Sequence, residues 1–200
     1  MHDDPYRQMF FEANALSPRR IPDPLGSDWR VNCLLEAMEL EVGSRVLYAG
    51  CGKGHLIPHL KTRLGLNGQL IAVDDSAEAL AKVPRRDARW ATLIKSGLDR
   101  IPVLDESIDV VIHPFSPGRL ADLSGMADEF YRILKPEGRA FIICPLPSLG
   151  LDAPTPCRFG LDGIFVRAGF NRLDFDDDLN LFFWAAQKSA PFFFSEAGAA

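Results

Sequence analysis

The chain has 200 residues, of which 47% are hydrophobic and 24% are charged, so it suits one globular domain and not a disordered chain. Its net charge of -5 argues against nucleic acid as the main partner, because phosphate binding requires a basic surface. No apolar run approaches the roughly 20 residues that span a bilayer, and the start resembles no secretory signal. We therefore expect a cytoplasmic protein without a membrane partner, whose four scattered cysteines are reduced thiols.

The first forty residues differ in pattern from the rest. Prolines interrupt the beginning of this segment, and an apolar stripe of helical period then runs over Ser27–Leu40. We predict that residues 1–40 form an N-terminal helical segment that acts as a lid over a substrate; the alternative is that its aromatic residues only pack on the body of the domain. Residues 41–188 are predicted to form the main domain, and residues 189–200 a frayed C-terminal tail.

Seven short apolar runs follow, and amphipathic segments separate the first five of them. The runs predict strands at Arg45–Ala49, Gln69–Val73, Trp90–Ile94, Ile108–Ile112, Arg139–Cys144, Asn171–Phe175 and Leu181–Ala186. The amphipathic segments predict helices at Lys53–Leu64, Ala77–Val83, Asp122–Leu134 and, after the fifth strand, Phe159–Ala168. This alternation indicates a buried parallel sheet of the α/β class. The last two strands are too close in sequence for a crossover helix and must form an antiparallel hairpin.

The strongest local signal is a glycine-rich loop after the first strand, with Gly50, Gly52 and Gly54 at alternate positions. Glycines at such a place allow a tight turn and the close approach of a ligand, and a following helix offers free N–H groups. The third glycine of the dinucleotide-binding fingerprint would fall at His55, so a nucleotide-dependent oxidoreductase is a weaker interpretation.

Two acids close the second strand. Asp74 lies twenty residues after Gly54, where an acid that accepts hydrogen bonds from ribose hydroxyls is expected. Asp75 and Glu78 have the spacing of a capping box, which predicts Asp75 as the N-cap of the next helix and leaves Asp74 for the sugar.

These pieces resemble the class I S-adenosylmethionine-dependent methyltransferases, in particular the type 11 and type 25 groups. Four segments resemble the family's motifs and follow one another in the family's order: VLYAGCGKG, IAVDDSAEAL, IPVLDESIDVVI and YRILKPEGRAFII. The segment AGF from Ala168, with the hairpin after it, resembles the C-terminal end of the family's domain. The resemblance implies a Rossmann-like three-layer sandwich around a seven-stranded, mostly parallel sheet. It implies the strand order 3-2-1-4-5-7-6, an antiparallel last strand, and S-adenosylmethionine as cofactor over the carboxyl ends of the strands.

The resemblance also implies the cofactor-binding positions. They are Tyr48, Gly50, Cys51, Gly52, Gly54, Asp74, Asp75, Ser96, Gly97 and Leu98. Two of these depart from the family, which usually has an acid at position 48 for the amino-acid end of the cofactor and often one at position 97 for the adenine amine. Asp99 is a candidate substitute for the second acid.

His113 follows the fourth strand, where the family places the transferred methyl group, and is our candidate general base. A loop histidine that only shapes the pocket is the alternative. No metal is expected, since His55 and His59 lack a third ligand. We expect methyl transfer to a small-molecule nucleophile; the alternative is a non-catalytic binding or scaffold protein that has lost part of the cofactor site. The sequence leaves the methyl acceptor and the oligomeric state open.

Overall fold

The computed structural model describes residues 28–114, 123–145, 156–176 and 181–189. The described strands form one seven-stranded sheet in the order β3-β2-β1-β4-β5-β7-β6. Neighbouring strands are parallel from β3 to β5, whereas β7 is antiparallel to both β5 and β6. The predicted fold class, strand order and antiparallel last strand are therefore confirmed.

The elements have the following bounds. The strands are β1 (Arg45–Ala49), β2 (Gln69–Asp74), β3 (Ala91–Lys95), β4 (Ile108–Pro114), β5 (Leu134–Pro145), β6 (Phe170–Asp176) and β7 (Leu181–Lys188). The helices are α1 (Asp28–Ala37), α2 (Ile57–Leu64), α3 (Ala77–Ala81), α4 (Arg85–Ala88), α5 (Leu123–Ile133) and α6 (Pro156–Ala168). In the described part of the chain, no helix has the length and hydropathy that would let it cross a membrane.

Each face of the sheet carries its own hydrophobic core, because successive side chains of a strand point to opposite faces. On β1, Val46 and Tyr48 belong to the cluster that includes residues of α1 and α2. Leu47 and Ala49 belong to the other cluster, which includes residues of α5 and α6. Helices therefore cover both faces of the parallel strands, as the three-layer prediction requires.

Two element boundaries differ from the prediction in ways that affect the glycine-rich loop and the fifth strand. The helix predicted from Lys53 begins at Ile57, because Pro58 lies in its first turn, where proline is favoured. The Ile57 N–H also donates a hydrogen bond to Gly54 O at 3.0 Å. We predicted that the start of this helix offers free N–H groups. This is wrong for its first two residues, because the Ile57 N–H is bonded and Pro58 has no N–H. β5 begins at Leu134, five positions before the predicted start, and its pairing with β4 shifts register between Ile108 and Val110.

The helical half of the predicted N-terminal segment packs on the body. Val31, Leu34, Leu35 and Met38 are buried in the cluster they share with α2. Residues 1–27 and 190–200 lie outside the described residues, so the lid and the tail stay predictions. The helix α1 itself is a structural part of the domain.

Candidate functional site

The predicted site residues come from four neighbouring strands of the sheet. The glycine-rich loop follows β1, Asp74 ends β2, Ser96 follows β3 and His113 lies near the end of β4. These strands are adjacent and parallel, so their carboxyl ends share one edge of the sheet. In open α/β sheets this edge is where ligands bind.

Asp74 connects the second strand to the glycine-rich loop. Its Oδ2 accepts a hydrogen bond from Gly52 N at 2.8 Å, and its Oδ1 accepts one from Ser76 N at 2.9 Å. The side chain is 3% exposed, so the carboxylate is fixed where two backbone segments meet.

The predicted N-cap of α3 is wrong by one residue. Ser76, and not Asp75, caps the helix: its backbone is extended and its Oγ accepts from Ala79 N at 3.1 Å. An N-cap side chain bonds the N–H two or three positions ahead, which Ser76 reaches here. Glu78 pairs instead with Lys82 at 2.5 Å. Asp75 is exposed beside the site. That it binds the cofactor stays a prediction.

The three loop glycines have different surroundings. A Cβ added to Gly52 would meet no described atom within 4 Å, whereas one on Gly54 would lie 2.7 Å from Ile57 Cδ1. A Cβ on Gly50 would lie 3.2 Å from His113 Cε1. Gly52 therefore has open space around its Cα, whereas Gly54 is in close contact with Ile57 and Val83.

Cys51 lies between two of these glycines and is 2% exposed. Burial, with a contribution from the negative charge of Asp74, raises the pKa of the Cys51 thiol to about 12. Its backbone N–H donates to Val73 O at 2.9 Å, which joins the loop to β2. Cys51 is thus a small neutral side chain in the loop and not a reactive thiolate.

The segment after β3 lies next to Asp74. Ser96 N donates to the main-chain oxygen of Asp74 at 3.1 Å, and Ser96 Oγ donates to Arg100 O at 2.6 Å. Gly97 is exposed, and Leu98 packs against the cluster on the α5 face. The structure thus brings the predicted residues of β1, β2 and β3 together.

Tyr48 is a predicted site residue whose side chain packs into a hydrophobic core of the domain. Its side chain is 2% exposed and belongs to the cluster on the α1 and α2 face. The expectation that its phenol meets the amino-acid end of a cofactor finds no support in this burial. That prediction stays untested.

His113 is buried beside the glycine-rich loop. Its Nδ1 lies 2.8 Å from Ala49 O. A carbonyl oxygen can only accept, so Nδ1 carries the proton and, in a neutral ring, Nε2 carries the lone pair. The ring also meets Phe130 edge-on, with centroids 6.1 Å apart. This tautomer is the one that a base acting through Nε2 requires.

A partly buried ion pair between Glu129 and Arg132, which the sequence analysis missed, holds the loop between β3 and β4. Glu129 Oε1 accepts from Ile101 N at 2.5 Å, and Arg132 donates to Ile101 O at 3.0 Å and to Val103 O at 3.0 Å. Burial alone would raise the pKa of Glu129, but its hydrogen bonds with Arg132 and Ile101 outweigh this and lower it. The sequence analysis gave Glu129 and Arg132 no role, because opposite charges three positions apart are common on exposed helix faces and do not point to a contact with a distant loop.

Similarity to a known protein family indicates which kind of domain carries this edge of the sheet. The family model described as a methyltransferase domain matches residues 47–142, which include the glycine-rich loop, Asp74, Ser96 and His113. Residues 47–142 therefore match a methyltransferase domain, and the matches support the class I S-adenosylmethionine-dependent methyltransferase family that the resemblance suggested. S-adenosylmethionine is therefore the cofactor of the domain. The oxidoreductase interpretation finds no support in these matches.

Individual relatives agree with this assignment. The chain is 28% identical over 105 residues to the malonyl-[acyl-carrier protein] O-methyltransferase of Yersinia pestis, covering 52% of this chain and 38% of that one. It is 31% identical over 150 residues to the arsenite methyltransferase of Halobacterium salinarum, covering 66% and 38%. This methyltransferase chain thus spans half or less of the length of the curated relatives it matches here.

A solved structure shows the same fold. The S-adenosylmethionine-dependent methyltransferase from Aquifex aeolicus superimposes with a TM-score of 0.70 and 20% identity, covering 90% of this chain and 97% of that one. At this identity the likeness shows the fold alone.

Proposed function

We propose that the protein transfers a methyl group from S-adenosylmethionine to a small-molecule nucleophile. The observation that carries the proposal is the bond between Asp74 and Gly52, because it sets an acceptor and an open backbone side by side. When bound, S-adenosylmethionine supplies a methyl group on a positively charged sulfur, ready for attack by a nucleophile. The relatives named above act, by their names, on a malonyl-carrier protein and on arsenite, which supports chemistry outside nucleic acids.

The residues at the sheet edge fit this cofactor. The carboxylate of Asp74 is held by two backbone N–H groups at the end of β2, where an acid that binds the ribose hydroxyls is expected. The open space above Gly52 lets a ligand approach the loop backbone. Under this proposal Asp74 binds the ribose, and Gly50, Cys51 and Gly52 line the path towards β4.

His113 is the proposed proton acceptor for an oxygen or nitrogen nucleophile. Its Nδ1–H donates to Ala49 O and fixes the ring orientation, so Nε2 is the basic atom. Methyl transfer depends mainly on proximity and in-line orientation, so such a base assists the reaction and does not replace positioning. The predicted cytoplasmic location and the lack of nucleic-acid and membrane partners stay part of the proposal.

Calorimetric titration with S-adenosylmethionine and with its demethylated product tests binding. Turnover is tested by incubating the protein and methyl-labelled S-adenosylmethionine with a cell extract split into small-molecule, protein and nucleic-acid fractions. Label should enter the small-molecule fraction, and His113→Gln should slow its entry while cofactor binding persists. Binding without label transfer to any fraction would favour the scaffold alternative, and label in a macromolecular fraction would overturn the substrate class.

A further inference from the structure

A cavity of about 660 Å³ lies at the amino-terminal ends of the first three strands. The first residue of each strand lines it: Arg45 of β1, Gln69 of β2 and Ala91 of β3. These strands are parallel, and their carboxyl ends carry the proposed cofactor site, so the cavity lies at the opposite edge of the sheet. Its volume is within the range of small-molecule sites, about 300–1,000 Å³.

The cavity lies beside a strand connection without a helix. Residues 96–107, which join β3 to β4, contain none, although parallel strands are usually joined through a helix. Pro102, Val103 and Leu104 of this connection line the cavity, and the Leu104 side chain is 77% exposed. A loop with an exposed apolar residue therefore borders this part of the sheet, where a crossover helix would ordinarily cover it.

The charged part of the cavity wall is positive. Among the described residues that line it, Arg45 and Arg89 are charged and none is acidic. Nε of Arg45 is buried and has no hydrogen-bond partner in the part of the chain that the structure describes. Asp109 does not supply one, because its two oxygens accept from the main-chain N–H of Arg45 at 2.7 Å and from Lys135 Nζ at 2.6 Å. A buried donor without an acceptor is unfavourable, so an anion that reaches Arg45 Nε gains a charged hydrogen bond there.

An aromatic ring lies beside these charges. Trp90 lines the cavity, directly follows Arg89 in the chain and is 43% exposed. Lys61 Nζ lies 3.7 Å from the centroid of the Trp90 ring, and this contact restrains the indole and brings a third positive charge close to it. A flat apolar group can therefore pack against Trp90 while a negative group attached to it meets the cations.

We propose that this cavity binds a small organic anion in which a carboxylate or phosphate group is attached to an aromatic ring. The anionic group accepts hydrogen bonds from Arg45 Nε and from Arg89, and the ring packs on Trp90 beside Leu104. Guanidinium groups match the geometry of both kinds of anion. A neutral ring leaves Arg45 Nε without an acceptor, and an anion without a ring leaves Trp90 exposed to water, so tight binding requires both parts.

The ligand chemistry is tested with three matched probes: indole-3-acetate, its neutral amide indole-3-acetamide, and acetate. Binding to the ¹⁵N-labelled full chain is followed through the indole N–H resonance of Trp90, which its loss in Trp90→Leu identifies. Indole-3-acetate should shift this resonance saturably, and the amide and acetate should bind about tenfold more weakly or worse, because each lacks one of the two contacts. Equal binding of the acid and its amide would overturn the anion site.

Two further titrations define the anionic group and the place of binding. The tighter binder of phenylacetate and phenyl phosphate identifies the group as a carboxylate or a phosphate, and no saturable shift with either would overturn the proposal. Saturating S-adenosylhomocysteine should leave the bound probe in place, since the two sites are at opposite edges of the sheet. Displacement of the probe would assign it to the cofactor edge and overturn a separate site.

Matched arginine variants test the residues. Arg45→Gln should weaken indole-3-acetate binding about tenfold, the effect of a charged hydrogen bond, and the exposed Arg89→Gln about two- to fivefold. Arg86→Gln makes the same charge change on a side chain that is 84% exposed and does not line the cavity, so affinity should not change. If Arg45→Gln fails to fold by circular dichroism, the comparison of Arg89→Gln with Arg86→Gln still decides.

Two outcomes of this series contradict the proposal. Equal weakening by Arg89→Gln and Arg86→Gln would mean that the probe responds only to the overall charge of the surface. Binding that appears only in a chain shortened after Ser189 would mean that residues 190–200, which include Phe192, Phe193, Phe194 and Glu196, occupy the cavity in place of a free ligand.

Discussion

The backbone N–H of Gly52 donates to Asp74 Oδ2 over 2.8 Å, so the acid predicted to hold a ribose also fixes the glycine-rich loop. One side chain thereby links the ends of β1 and β2. If Asp74 also binds the ribose, as proposed, a substitution at this position changes both the loop and ligand binding, so the two effects are measured separately.

Asp74→Ala should weaken S-adenosylmethionine binding at least tenfold, or about 1.4 kcal/mol. It should also lower stability by about 1–3 kcal/mol, because Gly52 N and Ser76 N lose their acceptor. Calorimetry and urea unfolding measure the two effects. Glu78→Gln, an exposed carboxylate on α3, is the control and should change neither by much. A folded Asp74→Ala variant with unchanged affinity would remove Asp74 from the cofactor site.

Gly52 and Gly54 should respond in opposite ways to the same change. Gly52 has φ +54 and open space around it, so Gly52→Val strains the turn and blocks the ligand's approach, but disturbs little packing. We expect it to abolish cofactor binding while circular dichroism shows a folded domain.

Gly54→Val should instead lower the thermal midpoint strongly, because its side chain would meet Ile57 and Val83. Calorimetric titration and thermal unfolding of both variants make the comparison. Normal binding by Gly52→Val would show that this loop has a purely structural role.

Tyr48→Asp tests whether an acid at the family's usual position restores a contact with the cofactor. Because Tyr48 is 2% exposed within an apolar cluster, we expect the buried carboxylate to destabilise the domain by several kcal/mol and not to tighten binding. Tyr48→Phe is the conservative comparison and should remain folded. Tighter S-adenosylmethionine binding by a stable Tyr48→Asp variant would show that position 48 does face the ligand.

The strands could be predicted from the sequence, whereas the surroundings of Tyr48 could not. The alternation of apolar runs with amphipathic segments identified all seven strands, because burying a parallel sheet imposes that pattern. Because both faces of the sheet are buried, apolar residues are expected on both of them. The sequence therefore does not predict which face Tyr48 occupies. Two hydrogen bonds of the site join residues that are far apart in the sequence: Gly52 N to Asp74 over 22 positions, and Ile101 N to Glu129 over 28 positions. Their geometry depends on packing, which the periodicity of the sequence does not encode.

Cys51 should react slowly with alkylating reagents in the native protein. With a pKa of about 12, only about one thiol in ten thousand is ionised at pH 8, and the side chain is buried. Mass spectrometry after iodoacetamide treatment, with urea-unfolded protein as the control, should show modification of Cys51 in the unfolded sample alone. Rapid native labelling would contradict the burial and would indicate a thiolate in the glycine-rich loop.

The two carboxylates that share Arg132 offer a matched comparison of buried and exposed ion pairs. Glu129 is 8% exposed and also holds Ile101 N, whereas the Asp105 side chain is 74% exposed. Glu129→Gln should lower the free energy of unfolding at pH 7 by about 1–3 kcal/mol, and Asp105→Asn by less than about 1 kcal/mol. Equal effects of the two substitutions would show that the burial of the Glu129 carboxylate adds nothing to its pairing with Arg132.

The contribution of Glu129 should also depend on pH in a defined direction. Its pKa in the folded protein is lowered, so the stabilisation is complete above the ordinary glutamate pKa of about 4.3 and is lost as the pH falls through the lower folded value. The difference in unfolding free energy between wild type and Glu129→Gln should therefore be constant from neutral pH to about pH 5 and shrink below about pH 4. Urea unfolding at a series of pH values measures it, and the difference itself cancels the titration of the other acids. A difference that grows on acidification would mean that burial, and not the hydrogen bonds from Arg132 and Ile101, dominates the pKa of Glu129.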